Sequence, residues 1–320
     1  MKKSTRNLLI GSGIAALGTA ILTKATSKYL IKIAMDREEP RALRNHKATL
    51  RGRKELVEFY QKMTDDAEKL ENQKSEEIEI LSYDGIRLVG HWAPCTDAKR
   101  IVIAMHGWRS TWSRDFGMIS EFWKQSGCSV LYVEQRGQNN SDGSYMGFGM
   151  LERYDCLEWV RWVNRHTGGG LPIYLAGASM GATTVLMASD LELPENVHGI
   201  MADCGFTSPY AIWKHVVENN LHMPYGLYKC AANDLCKKKI KMGNESCSTI
   251  LSLQKCQKPV LFVHGTDDHF VPVEMTYENY KACASEKKLF VVPGADHGMS
   301  YFYDKNGYEK CMQEFWEMYD

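Results

Sequence analysis

The chain has no excess of charge of either sign: Lys+Arg 39 stand against Asp+Glu 39 over 320 residues. Without a whole-molecule positive field, nothing gathers a phosphate backbone, and nucleic acid is not an expected partner. No GxxxxGKS/T loop, strand-coupled GxGxxG turn or HExxH helix appears, so the usual signals of nucleotide binding and of zinc peptidases are missing. The ten cysteines run singly from Cys95 to Cys311. Their single spacing does not read as a disulfide framework; only Cys230, Cys236, Cys247 and Cys256 cluster, and they lack a CxxC half-site, which speaks against a structural zinc and leaves a reduced or a disulfide-paired surface subdomain. There is no internal repeat.

What is present is a globular composition, 44% hydrophobic and 24% charged, enough to bury a sizeable core. The length suits one main domain with an N-terminal appendage.

In that appendage Lys2, Lys3 and Arg6 precede the apolar run Leu8 to Leu22, somewhat short of the roughly 18 to 20 residues that span a bilayer. A basic start with Gly18 and Ala20 also suits a cleaved signal peptide. No polar exit follows, because Tyr29, Leu30, Ile31, Ile33 and Ala34 extend the apolar character while Lys24, Lys28 and Lys32 are spaced to snorkel. Residues 1–35 are therefore read as a membrane-directed helix, an uncleaved single-pass anchor ahead of a signal peptide or a surface-lying helix; a soluble helix is the plainer alternative. Cations after the run outnumber those before it, which favours a cytoplasmic catalytic part and leaves the membrane side open. Residues 36–75 read as a charged helical linker, with helical spacing of apolar positions from Glu55 to Leu70.

Beyond Glu76, short β-rich runs alternate with helical stretches, the pattern of βα units on a mostly parallel sheet. The expected strands are Glu77 to Ser82 and Ile86 to His91 around an Asp84-Gly85 turn, then Arg100 to Met105, Ser129 to Glu134, Pro172 to Ala176, Gly199 to Asp203, Pro259 to His264 and Lys288 to Val292. Helices are expected at Trp112 to Gln125, Met150 to Arg165, Met180 to Ser189, Val273 to Cys283 and Lys305 to Met318. Residues 206–258 are far longer than an ordinary connection and read as an inserted cap.

The chemistry is concentrated at three places. The apolar strand Pro172 to Ala176 runs into Gly177-Ala178-Ser179-Met180-Gly181 and on into a helix. A serine held on such a strained turn projects its hydroxyl from the sheet, and the flanking glycines remove clashing side chains. A serine hydroxyl needs a base to take its proton and a carboxylate behind that base. His297 follows the last expected strand, and Asp268, with Asp267 as its adjacent alternative, follows the strand before. The chain order Ser179, Asp268, His297 is the one an α/β-hydrolase topology requires.

These residues resemble the α/β-hydrolase superfamily, on its serine aminopeptidase and monoacylglycerol-lipase-like branch, over about Glu76 to Asp320. The resemblance implies an α/β-hydrolase fold: an eight-stranded, mostly parallel sheet flanked by helices, with a small helical cap. It also takes the acid from the fifth position of the HGxxDxxVP segment, Asp268. His106-Gly107-Trp108 resembles the oxyanion loop, which implies backbone N–H donors from Trp108 and Met180. Glu134 to Gly143 is similar to the family's D-x-R-G-x-G-x-S loop, with Arg136 and Ser141 as structural partners. No cofactor or metal is implied. The expectation is a serine esterase or lipase-like enzyme acting on a small-molecule ester through an acyl-enzyme. A peptidase or amidase of the same branch is the alternative, and a non-catalytic hydrolase-fold binding protein the third reading.

Overall fold

The structure is a computed structural model that describes residues 22–38 and 54–320. Residues 22–35 form helix α1, and α2 spans Lys54–Glu71. The strands are β1 Glu76–Leu81, β2 Arg87–Ala93, β3 Arg100–Met105, β4 Cys128–Glu134, β5 Ile173–Ala178, β6 Val197–Asp203, β7 Val260–Gly265 and β8 Lys287–Val292. They make one sheet in the order β1-β2-β4-β3-β5-β6-β7-β8, with β2 antiparallel to both its neighbours and every pair from β4 to β8 parallel.

Burial follows from position in the sheet. Central β3, β4 and β7 are buried at every residue, as expected where both faces are covered. Edge strand β1 exposes all but one or two of its side chains. One face of the sheet packs against α4 (Glu152–Thr167) and α5 (Met180–Ala188) through Trp159 and Val185. The other packs against α3 (Trp112–Gln125) and a later helix, Lys305–Tyr319, through Phe116, Trp123 and Phe315.

The segment read as a linker contains a packed element. α2 buries Phe59, Met63, Ala67 and Leu70, and Leu70 joins the α3 side of the core. The two helices approach so closely that a Cβ on Gly117 would lie 2.7 Å from the Asp66 carbonyl carbon.

The expected membrane-spanning helix is not found: among the described residues no helix is long and apolar enough to cross a membrane. The run Leu8 to Leu22 lies outside them except for Leu22. The described α1 is amphipathic instead. Ser27, Ile31 and Met35 are buried while Lys24, Lys28 and Lys32 are exposed on the opposite face. The buried face packs against Met150 and Met180 of the sheet domain.

Residues 206–258 fold as α6 (Pro209–His215), a π turn at Val216–Asn220, a 3-10 turn at Tyr225–Leu227, α7 (Lys229–Ile240) and α8 (Thr249–Leu253). Trp213, Val217 and Tyr225 of this segment share one apolar cluster with Met180 and with Ile31 and Met35 of α1. All ten cysteines are free thiols.

Candidate active site

Ser179 sits between β5 and α5 with φ 54° and ψ −114°, a conformation that costs a side-chain-bearing residue about 1–3 kcal/mol. Its neighbours explain how the turn closes. A Cβ on Gly177 would lie 2.3 Å from the Gly181 carbonyl, and one on Gly181 would lie 1.7 Å from the Met105 oxygen. Neither position admits a side chain, which is the physical content of the Gly-x-Ser-x-Gly spacing.

Asp268 lies on the loop after β7 and His297 on the loop after β8, so three strands deliver the three side chains to one end of the sheet. The Ser179 hydroxyl lies 3.0 Å from His297 Nε2, and His297 Nδ1 lies 2.7 Å from Asp268 Oδ2. Asp268 Oδ1 accepts from the backbone N–H groups of Phe270 and Val271 at 2.9 and 2.8 Å. Asp267 is exposed and takes no part.

Two histidines beyond the sequence-expected set support this arrangement. His264 lies fully buried at the end of β7, with Nε2 3.0 Å from Asp268 Oδ2 and 2.9 Å from the Val271 oxygen. Both groups facing Nε2 are acceptors, so Nε2 donates towards the carboxylate and Nδ1 accepts from the Thr276 hydroxyl at 2.6 Å. Its place four residues before Asp268 was the available signal. His106, also buried, lies with Nε2 3.1 Å from the Gln135 N–H, and burial holds its pKa below the ordinary value. It thereby ties the loop after β3 to the loop after β4.

Burial works against the Asp268 carboxylate, but the facing imidazoles of His297 and His264 outweigh it and hold its pKa well below 3.8. Burial also disfavours the His297 imidazolium, whereas Cys204 and Asp268 favour it, and the balance lies well above 6.5. Burial raises the Cys204 thiol to about 11, so at neutral pH it is uncharged and Asp268 supplies the charge that His297 feels. Among the described residues, Cys204, Asp268 and His297 form one trio of potential metal ligands, with ligand atoms within 4.8 Å of one another. Asp268 and His297 already hydrogen-bond to each other there, an arrangement suited to moving a proton.

The sequence-expected oxyanion residues lie beside the serine. Met180 opens α5, whose first-turn N–H groups have no intrahelical acceptor. The loop carrying Trp108 passes so near that a Cβ on Gly107 would lie 3.3 Å from Ser179 Cβ. Asp115, in the first turn of α3, accepts from the Gly107 N–H at 2.6 Å and from the Ser110 hydroxyl at 2.5 Å. Sequence reasoning missed Asp115, because nothing in its spacing marks it.

Arg136 and Ser141 are structural. Arg136 donates to both oxygens of Asp155 at 2.5 Å and to Asp84 at 2.9 Å, and Ser141 bridges the Glu134 oxygen and the Val89 N–H.

An eight-stranded sheet of this order, with a serine on a strained turn after β5, is the α/β-hydrolase fold. The model of the family described as serine aminopeptidase, S33, matches residues 96–221. The chain is 26% identical over 252 residues to the uncharacterized protein YqkD of Bacillus subtilis, covering 78% of this chain and 81% of that one. It is 25% identical over 203 residues to an uncharacterized membrane protein of Saccharomyces cerevisiae, covering 62% and 64%. The Pyrococcus furiosus esterase Pf2001 shares the fold with a TM-score of 0.65 and 21% identity, over 78% of this chain and 93% of that one.

Proposed function

We propose that the chain is a serine hydrolase that cleaves carboxylic esters with an apolar acyl or alcohol part through an acyl-enzyme. The observation that carries this reading is the position of His297, with one nitrogen 3.0 Å from the Ser179 hydroxyl and the other 2.7 Å from Asp268. Ser179 attacks the ester carbonyl as His297 Nε2 takes its proton, and Asp268 steadies the imidazolium that forms. Charge developing on the carbonyl oxygen is met by the N–H groups of Trp108 and Met180. The imidazolium then protonates the departing alcohol, and water, activated by the same histidine, releases the acid.

The preference for an ester with an apolar part rests on the surroundings of Met180, where Phe148, Phe206 and Trp213 join one apolar cluster, and on Phe270, whose ring lies 5.1 Å from that of His297. A membrane location belongs to the same reading and is supported by the basic residues and apolar run ahead of α1. The test is to treat full-length protein with a fluorophosphonate and map the adduct, then to compare short nitrophenyl esters with aminoacyl-anilides. Labelling at Ser179 with ester turnover supports the proposal. Turnover of anilides alone moves it to the peptidase reading, and a folded chain that does not label leaves a binding protein.

A further inference from the structure

The last turn of a helix leaves carbonyls without intrahelical N–H partners, and where they are buried each must find a donor elsewhere. At the end of α1 the donors come from the catalytic domain. The Ile33 oxygen accepts from Arg109 Nη2 at 2.8 Å, the Ala34 oxygen from the Trp108 indole N–H at 2.8 Å, and the Met35 oxygen from the Met146 N–H at 2.7 Å. Arg109 Nη2 also donates to the Asp36 oxygen at 2.6 Å. Two of the three helix-end carbonyls are thus held by adjacent residues of the loop that carries the Trp108 oxyanion donor. The guanidinium, lying 5.2 Å from the Trp108 ring centroid, meets the negative end of the helix dipole.

The loop needs such fastening. Arg109 has φ 53°, in the left-handed region that a side-chain-bearing residue leaves unless its surroundings hold it there. From within the domain its own N–H donates to Gln138 Oε1 at 2.6 Å, and Asp115 grips Gly107 and Ser110. From outside, α1 is the counterpart, and it is firmly seated. Asp36 bridges to Tyr145, the Arg37 N–H donates to the Ser144 oxygen at 3.0 Å, and Lys239 of the cap reaches Asp36 at 2.5 Å.

We propose that the end of α1 is a brace for the oxyanion loop: Arg109 and the Trp108 indole are positioning groups that set the Trp108 backbone N–H against the reacting carbonyl. The N-terminal segment is in this way part of the catalytic apparatus rather than only a tether. The inference rests on the serine-hydrolase reading above and adds to it a dependence of turnover on contacts that never touch substrate.

The experiment uses the full chain with Arg109→Ala, Arg109→Lys and Trp108→Phe, the last retaining the backbone donor while removing the indole N–H. Rates on a soluble nitrophenyl ester are measured beside the rate of fluorophosphonate labelling and the melting temperature. An oxyanion donor moved out of place loses transition-state binding, so kcat falls about ten- to a hundredfold in Arg109→Ala and Trp108→Phe while KM stays within about twofold. Labelling slows in parallel, and Arg109→Lys, which keeps a donor for the same carbonyls, recovers part of kcat. The brace is overturned if both variants keep kcat within about twofold of the parent, or if kcat and the melting temperature fall together without recovery in Arg109→Lys. If the parent itself fails to label at Ser179, the hydrolase reading is lost and the brace with it, an outcome distinct from a labelled parent with unaffected variants.

Discussion

His264 and His297 meet on a single oxygen: their ring nitrogens lie 3.0 and 2.7 Å from Asp268 Oδ2. One imidazole lies 3.0 Å from the Ser179 hydroxyl and the other is locked by Thr276 and Val271, so the carboxylate is held in place by a group that does not contact the serine. Asp268 therefore keeps its orientation whatever the charge on His297.

His264→Ala leaves one lone pair of a buried carboxylate without its donor and opens a void at a fully buried position. The expected loss is about 2–4 kcal/mol of folding stability, with reduced kcat in the protein that remains folded. Urea unfolding followed by tryptophan fluorescence reads the first and ester turnover the second. A stability change under about 0.5 kcal/mol would remove His264 from the architecture of the site.

The neighbouring acids separate by geometry. Asp268→Asn keeps the shape but takes away the charge that stabilises the imidazolium, and kcat falls by about 10⁴, the order seen when a triad acid is neutralised. Asp267→Asn alters an exposed side chain bonded to Thr266, and turnover stays within about twofold. Steady-state rates on one ester decide the assignment, and a larger loss in Asp267→Asn reverses it.

Much of this site was legible because its constraints are local. Gly177 and Gly181 announce a turn in which no Cβ fits, and the apolar runs of β3, β4 and β7 read as strands covered on both faces. The supporting contacts were not legible, since they join residues far apart in the chain: His106 to Gln135 across 29 positions, Trp108 to Ala34 across 74. The N-terminal helix shows what composition leaves open. Apolar residues with lysines at every fourth position suit a lipid interface and equally suit a helix lying on its own domain, and only the carbonyls gripped by Trp108 and Arg109 show that α1 does the second.

Arg136 offers a test of structure without chemistry. Its guanidinium is buried between Asp155 and Asp84, so Arg136→Met strands the Asp155 carboxylate in the interior, at an expected cost of about 3–5 kcal/mol. Because Arg136 contacts no triad residue, the fluorophosphonate labelling rate per folded molecule stays near that of the parent. Unfolding in urea with active-site titration separates the two effects, and a collapse of labelling in fully folded protein would give Arg136 a part in the reaction.

The pH dependence follows from His297. As general base it must be neutral in the free enzyme, and Asp268, 2.7 Å from its Nδ1, raises its pKa above the ordinary histidine value. On the acid side kcat/KM is therefore small, and it rises as pH passes through the His297 value, with a midpoint higher than an unperturbed histidine would give. Two variants identify the source of the shift. Asp268→Asn removes a negative charge 2.7 Å from the ring, so its residual activity rises at a lower pH than in the parent. Cys204→Ala removes a thiol that stays protonated up to about pH 11, so the midpoint keeps its place. Profiles of kcat/KM over about pH 5 to 9 for the three proteins make the comparison. A midpoint that falls in Cys204→Ala and stays fixed in Asp268→Asn would mean that a thiolate, not the carboxylate, faces His297 in the working enzyme.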